Sequence, residues 1–549
     1  MLLSNMELIA TAPGGVAKLR ELILTLAVQG KLVPQDPADE PAGVLLQKIR
    51  AEKDRLIAEG KIKRDKPLAE IAEEDKPFEL PEGWEWVKGR DLFSVVRGVA
   101  YQKSDAKDAP SEGLLPILRA NNIRVSINFD DLVYVPASLV SEDQLLRPGD
   151  YVVCLASGSK SLVGKAAPFR PEIACSFGAF CGAIRPFTDA AYFAVYLASP
   201  MYRASVAEAS AGIGINNLKG SSLLGLDIAL PPLAEQSRIV TRVEALMRLC
   251  DALEAKGQLE ATQHAQLVST LLGTLTASTT PEELAANWQR VAQYFDLLLD
   301  RPAAIDALEQ TLLQLAVRGL LVPQDPTDEP ASVLLQKIRA EKDRLIAAGQ
   351  IKRDKPLPPI TDEEKPFELP QGWAWVRFGD ASINRDGERI PVSSSERENR
   401  AKVYDYYGAS GVIDKIDGFL FDKTLLLIGE DGANLLNRST PIAFLAHGKY
   451  WVNNHAHVID TTHPELMTYL ALFINAISLE PYVTGTAQPK MNQAKLNSIV
   501  IALPPLAEQS RIVTRVTALR RLCADLRQRL AEREAVQARL AEALVESVG

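Results

Sequence analysis

Ile239, Val243, Leu246, Cys250 and Leu253 recur at alternating intervals of four and three residues, and Ile512, Val516, Leu519, Cys523, Leu526 and Leu530 repeat the rhythm. Apolar positions spaced this way form one stripe on an α-helix, the a/d seam of a coiled coil. Pro231–Pro232 and Pro504–Pro505 stand just before each stripe, where a preceding strand must stop and a helix can begin. The last helix is predicted from about Leu506 to Val548, roughly 60 Å long at 1.5 Å per residue. A single apolar stripe of that length needs a partner. The segment from about Val16 to Val28 is the candidate within the chain; self-association through the same seam is the alternative. Ala285–Leu299 and Ile305–Val317 also carry helical spacing, so the central helical element has more than two members.

Other stretches are patterned for strands. LLPILRA from Leu114, LVYVP from Leu132 and DYVVCLA from Asp150 are apolar runs bounded by turn residues. TLLLIGE from Thr424, PIAFLA from Pro441 and HAHVID from His455 match them in the second half. Apolar helices follow in AAYFAVYLASPMY and PELMTYLALFINAI. A Gly/Asn-rich stretch comes next in each half, SAGIGINNLKG from Ser210 and TGTAQPKMNQAKL from Thr484, and then a final strand.

Two long passages occur twice. LVPQDPADEPAGVLLQKIRAEKDRLIAEGKIKRDKPL from Leu32 returns almost unchanged from Leu321, and each copy runs on to a GWxWV motif ending at Val87 and Val376. LPPLAEQSRIVTRV appears at Leu230 and again at Leu503. The order is therefore repeat, unrepeated segment, repeat, twice over. LRELILTLAVQGKLV near the start matches LEQTLLQLAVRGLLV ending at Val322, so the N-terminal piece is the tail of a unit whose head is the C-terminal helix. Meeting termini would close the chain into a ring with approximate two-fold symmetry. The predicted fold class is α+β: two mixed α/β domains separated by antiparallel coiled-coil or helical-bundle spacers in a pseudo-two-fold cyclic arrangement. Expected boundaries are an N-terminal helix in 1–32, a linker with a short helix in 33–83, a first domain in 84–230, a central helical spacer in 231–321, a second linker in 322–372, a second domain in 373–503 and a C-terminal helix in 504–549. The linker helix, Val44–Ala58 with Gly60 as its cap, reads either as a docking arm or as a solvated spacer.

With 549 residues the chain has room for two to four domains. It contains no run of about 18 apolar residues and its first residues lack signal-peptide character, so the cytoplasm is the expected location. Five cysteines without a CxxC pair make a disulfide framework or structural zinc site improbable. The net charge of −9 argues against nonspecific polyanion binding by the whole chain. The excess lies outside the unrepeated segments: 84–230 holds fourteen basic and fourteen acidic residues, 373–503 twelve and fourteen. Recognition of nucleic acid would rest on local surfaces or on a partner that supplies positive charge.

The twin LPPLAEQSRIV motifs, the twin LAVxGxLVPQ motifs, the GWxWV openings and GTAQPKMN before the second LPPL together resemble the specificity subunits of Type I restriction–modification enzymes, over essentially the whole chain. The resemblance implies a noncatalytic DNA-recognition subunit with two target recognition domains held apart by helices that act as a ruler. Domains reading one duplex face would sit about one turn, near 34 Å, apart. It also implies the partners: two modification subunits, which use S-adenosylmethionine to methylate adenine, and two ATP- and magnesium-dependent restriction subunits, with no cofactor in this chain. LPILRANNI, SGSKSLVGK and CSFGAFCG in the first unrepeated segment resemble the amino-terminal recognition domain of the enterobacterial K enzyme, which implies the half-site AAC.

Base reading needs paired donors and acceptors, Arg or Lys for guanine and Asn or Gln for adenine, beside groups that hold phosphates. The first segment offers Arg97, Tyr101, Lys103, Arg119, Asn121, Asn122, Ser157, Ser159, Lys160 and Lys165. The second offers Arg385, Arg389, Tyr404, Tyr406, Tyr407, Asn434, Arg438, Asn453, Asn454, His455, Gln488, Lys490 and Asn492. Any one of them alone reads first as an ordinary turn or surface residue; their clustering after strands is what favours recognition. GSKSLVGK resembles a phosphate-binding loop but has one residue too many between its glycines, and Ala166 replaces the Ser/Thr. His455 and His457 could share a strand face and a metal, but no third ligand is evident. The competing functional class is a stand-alone DNA-modifying enzyme, a nuclease or methyltransferase with a divergent centre.

Overall fold

The computed structural model describes residues 9–62, 71, 76–124, 126–170, 173–187, 191–210, 216–353, 355–485 and 488–547. Parts of the first linker (63–70 and 72–75) and of both Gly/Asn-rich stretches (211–215, 486–487) lie outside the described residues. The chain divides into two compact units, one made of residues 1–259 together with 534–549, the other of 260–533.

In the first unit the GWxWV motif forms the strand Glu85–Lys88, which pairs antiparallel with Asp227–Leu230, the strand that runs into LPPL. A four-stranded antiparallel sheet has the order Phe93–Arg97, Cys181–Pro186, Tyr151–Cys154, Ala166–Pro168. A three-stranded sheet sets Leu114–Leu118 between Val133–Pro136 and, in parallel, Ser176–Phe177. The apolar stretch after the sheets is two helices, Ala191–Ala198 and Pro200–Ala209, where the pattern predicts one. The break has a local cause: the Ser199 hydroxyl accepts the Tyr202 N–H at 3.2 Å, and Pro200 opens the new helix at a position that needs no N–H.

The second unit repeats the frame. Ala374–Arg377 pairs with Val500–Leu503. One four-stranded sheet runs Ile383–Asn384, Ala456–Asp460, Leu425–Gly429, Ala443–Ala446; another runs Gly411–Ile416, Tyr404–Gly408, Lys449–Val452, Phe421–Asp422. The central helices are Pro281–Gln293, Phe295–Leu298 and Pro302–Val317, so the helix expected over Ala285–Leu299 starts earlier and breaks at Tyr294.

Both predicted seams are buried. Ile239, Val243, Leu246 and Cys250, on the helix Leu233–Ala277, share a core with Leu19, Ile23 and Ala27 of the helix Gly15–Val28. Ala541 of the final helix, Leu506–Glu546, joins that same core, flanked by Leu544 and Val545, and Lys18 lies 3.7 Å from Glu542. In the second unit Cys523 and Leu530 pack against Ile305, Leu308, Leu312 and Leu315. The linker helix Ala42–Ala58 is no solvated spacer: Ala42, Leu45, Leu46 and Ile49 belong to the first unit's core.

The repeated sequence builds one lock twice. The Trp84 indole N–H donates to Glu235 at 2.9 Å and Gln35 donates to the same carboxylate at 3.1 Å. Trp373, Glu508 and Gln324 reproduce both distances. Gln35 also donates to the carbonyl of Gly30, and Gln324 to that of Gly319, each at 2.6 Å. Those glycines sit at φ +70° and +74°, and a Cβ on either would come within 2.5 Å of a proline ring, so only glycine fits. Burial pushes the Glu235 and Glu508 carboxyls above the usual range, partly offset by the hydrogen bonds from Trp84 and Gln35 on one and from Gln324 and Trp373 on the other.

Candidate nucleic-acid interface

Five of the first segment's predicted readers line one cleft of about 880 Å³: Tyr101, Lys103, Arg119, Asn121 and Ser157. They come from three loops that the sheets bring together. Arg119 and Asn121 follow the strand Leu114–Leu118, and Ser157 ends the short strand Ala156–Ser157. Tyr101 and Lys103 lie on the chain leaving Phe93–Arg97. The Arg119 guanidinium donates to the Asp131 carbonyl at 2.9 Å and to its carboxylate at 3.0 Å, while its Nε is buried without a partner. Ser159, Lys160 and Lys165 are exposed on the loop beyond Ser157, and Arg97 is exposed at its strand's end. That loop leads into the strand Ala166–Pro168, without the helix a phosphate-binding loop requires. Cys181 lines the cleft, but burial pushes its thiol up to about 12, so it is a protonated wall group and no nucleophile.

Asn122 does not face this cleft as a reader. It is 1% exposed; its side-chain oxygen accepts the Arg119 N–H at 2.9 Å, and its amide donates to the carbonyls of Asn128 and Asp130. A buried amide must satisfy its polar atoms internally, and here it clamps the loop that presents its neighbours.

In the second unit three loops are laced together by backbone hydrogen bonds. Glu430 N–H donates to the His455 carbonyl, Met491 N–H to Glu430, and Gly432 N–H to Pro489. The lacing gathers Asn454, His455, Gln488 and Lys490, all exposed. His455 contacts the Asp431 carboxylate at 2.7 Å, and Lys490 lies 3.3 Å from Glu430. Asn434 stands at the edge, its amide spanning Ser439 and Thr440.

The remaining candidates there make contacts within the domain. Tyr406 is 1% exposed with its hydroxyl on Val392, and Asn453 is 4% exposed and accepts the His455 N–H. Arg385 pairs with Asp460 and Glu388, Arg389 with Glu430 and the Ala456 carbonyl. Arg438, at φ +50°, donates to the carbonyls of Asn475 and Ile477, and burial lowers its pKa. Asn492 caps the helix Gln493–Ser498. Tyr404 and Tyr407 lie on Tyr404–Gly408, packed edge-on against Phe419 and Tyr450 respectively. Partly buried cations need acceptors, and these three arginines found them inside the domain. His457 is buried between the Asp386 carboxylate at 2.6 Å and the Met491 carbonyl at 2.8 Å, so the two histidines do not share a face. Burial would push Asp386 up, but the hydrogen bond and charge from His457 and the charge of Arg389 hold it below the ordinary carboxylate value. Among the described residues no group of three or more His, Cys, Asp or Glu could hold a metal, and no helix is long and apolar enough to cross a membrane.

Among the cleft residues that sequence reasoning did not single out is Phe180. Phe180 is 69% exposed at the cleft, whereas Phe177, three positions earlier in CSFGAFCG, is fully buried. Composition could not separate the two; only the turn between them does.

A duplicated frame presenting unlike polar loops defines a modular recognition protein. The family model described as the Type I restriction modification DNA specificity domain matches residues 81–263 and 370–533. The chain belongs to this family. It is 35% identical to the Type I restriction enzyme EcoEI specificity subunit of Escherichia coli, over 97% of this chain and 94% of that one. It is 41% identical to the EcoKI specificity subunit of Escherichia coli K12 over 181 residues, covering 32% and 39% of the two chains. A solved structure from a type I R-M system is similar at 18% identity, covering 86% of this chain and 99% of that one, with a TM-score of 0.46.

Proposed function

We propose that this chain is the DNA-recognition subunit of a Type I restriction–modification complex and that each unit reads one half of a bipartite, asymmetric site. The carrying observation is the contrast between constant and variable parts: the Trp–Glu–Gln lock recurs residue for residue and the paired strands keep the same register, while the surfaces they hold differ. In the first unit Arg119 and Asn121 read base edges, and Lys103, Ser157, Ser159, Lys160 and Lys165 hold phosphates. In the second, Asn454, His455, Gln488 and Lys490 are the readers. Methylation of adenine and DNA cleavage belong to partners, two modification subunits using S-adenosylmethionine and two restriction subunits using ATP and magnesium, and the assembly works in the cytoplasm. A net charge of −9 suits this division, because the partners supply most of the positive groove.

Single-molecule sequencing of methylated adenine in host DNA tests the reading. It should return a split motif with AAC/GTT in one half; a continuous motif, or none, would overturn it. Binding assays then separate the roles. Asn121→Ala should cost about 1–3 kcal/mol of discrimination at one base pair. Lys160→Ala should weaken all sequences equally and lower the salt slope by about 1.

A further inference from the structure

Phe180 stands on the turn between Ser176–Phe177 and Cys181–Pro186, and its backbone is tied down on all sides. Its carbonyl accepts the N–H groups of Leu155 at 2.8 Å and Ala156 at 3.0 Å. Gly178 donates to Leu118 at 2.9 Å, and the Cys181 N–H returns to Gly178 at 2.8 Å. Gly98 crosses so closely that a Cβ there would lie 2.1 Å from the Gly178 oxygen. The ring is thus an exposed apolar group on a rigid mount, beside the polar side chains of Arg119 and Asn121. A phenyl ring left 69% exposed contributes little to the core, and its place at the cleft leaves it available for a ligand contact. The major-groove edges of base pairs offer donors, acceptors and one apolar group, the thymine 5-methyl. The neighbouring arginine and asparagine can address the donors and acceptors; neither can recognise a methyl.

We infer that Phe180 is a specificity-determining residue that packs against the 5-methyl group of a thymine in the first half-site. The inference rests on the reading of this cleft as a DNA site. An AAC half-site supplies two thymines on its complementary strand.

The test uses the full chain co-purified with its modification subunits and duplexes carrying the sequenced site, each thymine replaced in turn by uracil. One uracil in the first half-site should weaken wild-type binding about fourfold, the worth of one methyl group's burial. Uracils in the second half-site should be neutral for this residue. Phe180→Ala should bind the natural site less well and be indifferent to that uracil, while Phe180→Leu keeps most of the sensitivity. Because the side chain is exposed, both variants should fold. If no first-half uracil affects the wild type, or Phe180→Ala remains equally sensitive, the inference is wrong. Equal weakening of cognate and scrambled duplexes by Phe180→Ala would mark a wedge or structural role and also overturn it. Failure of the wild type to distinguish cognate from scrambled DNA would instead sink the underlying reading.

Discussion

Glu235 and Glu508 each receive two side-chain donors in a buried setting, and their loss would leave an indole N–H without a partner. Glu508→Ala should therefore destabilise the second unit by about 1–3 kcal/mol in chemical denaturation. The pH dependence has a definite sign. Burial raises this carboxyl's pKa in the folded chain, so its proton is held more tightly there than in the unfolded chain. Its contribution is complete below the unfolded pKa and is lost as pH rises through the folded one. Glu508→Gln has no proton to lose. Relative to Glu508→Gln, the wild type should lose stability as pH rises above the ordinary glutamate range; a relative gain over that range would contradict the assignment. Asn122 shows the limit of reading residue types. Its side chain suits adenine, yet three internal hydrogen bonds consume it. Asn121, one position away, is the exposed one.

At the scale of the helix, apolar packing outweighs the ion pairs laid over it. Pro302–Val317 buries Ile305, Leu308, Leu312 and Leu315 against Cys523 and Leu530, while Arg527 bridges to Asp306 at 2.7 Å and Glu309 at 2.8 Å on the rim. Leu312→Ala should cost about 2–5 kcal/mol, by lost transfer energy and the cavity left behind. Arg527→Ala should cost about 1 kcal/mol or less, since a solvent-screened pair gains little over hydration. Denaturant midpoints at constant m-value would check both; equal costs would mean that the ion pairs carry the interface. The period of this seam was legible because a four-three spacing has one helical interpretation. The breaks at Ser199 and Tyr294 were not, because a helix interrupted by one turn keeps nearly the same apolar pattern.

At the scale of the molecule, the last sixteen residues belong with the first unit, not with the unit that precedes them in sequence. Ala541, Leu544 and Val545 cover the core that holds Leu19 and Ile23. Deleting 534–549 should lower the first unit's unfolding temperature and leave the second unit's unchanged. Calorimetry resolves this, and a shift in the second transition alone would refute the shared core.

The repeats, the seams, the final strand before each LPPL motif and the family could be read from sequence, because each rests on local spacing or on long near-identity. The reading surfaces could not. Polar side chains in loops satisfy themselves within the protein or face outward according to which strands bring the loops together. That choice depends on contacts between residues far apart in the chain. Tertiary structure therefore separated Asn121 from Asn122 and His455 from His457, withdrew Arg385, Arg389 and Arg438 into internal pairs, and set Phe180 beside the cleft.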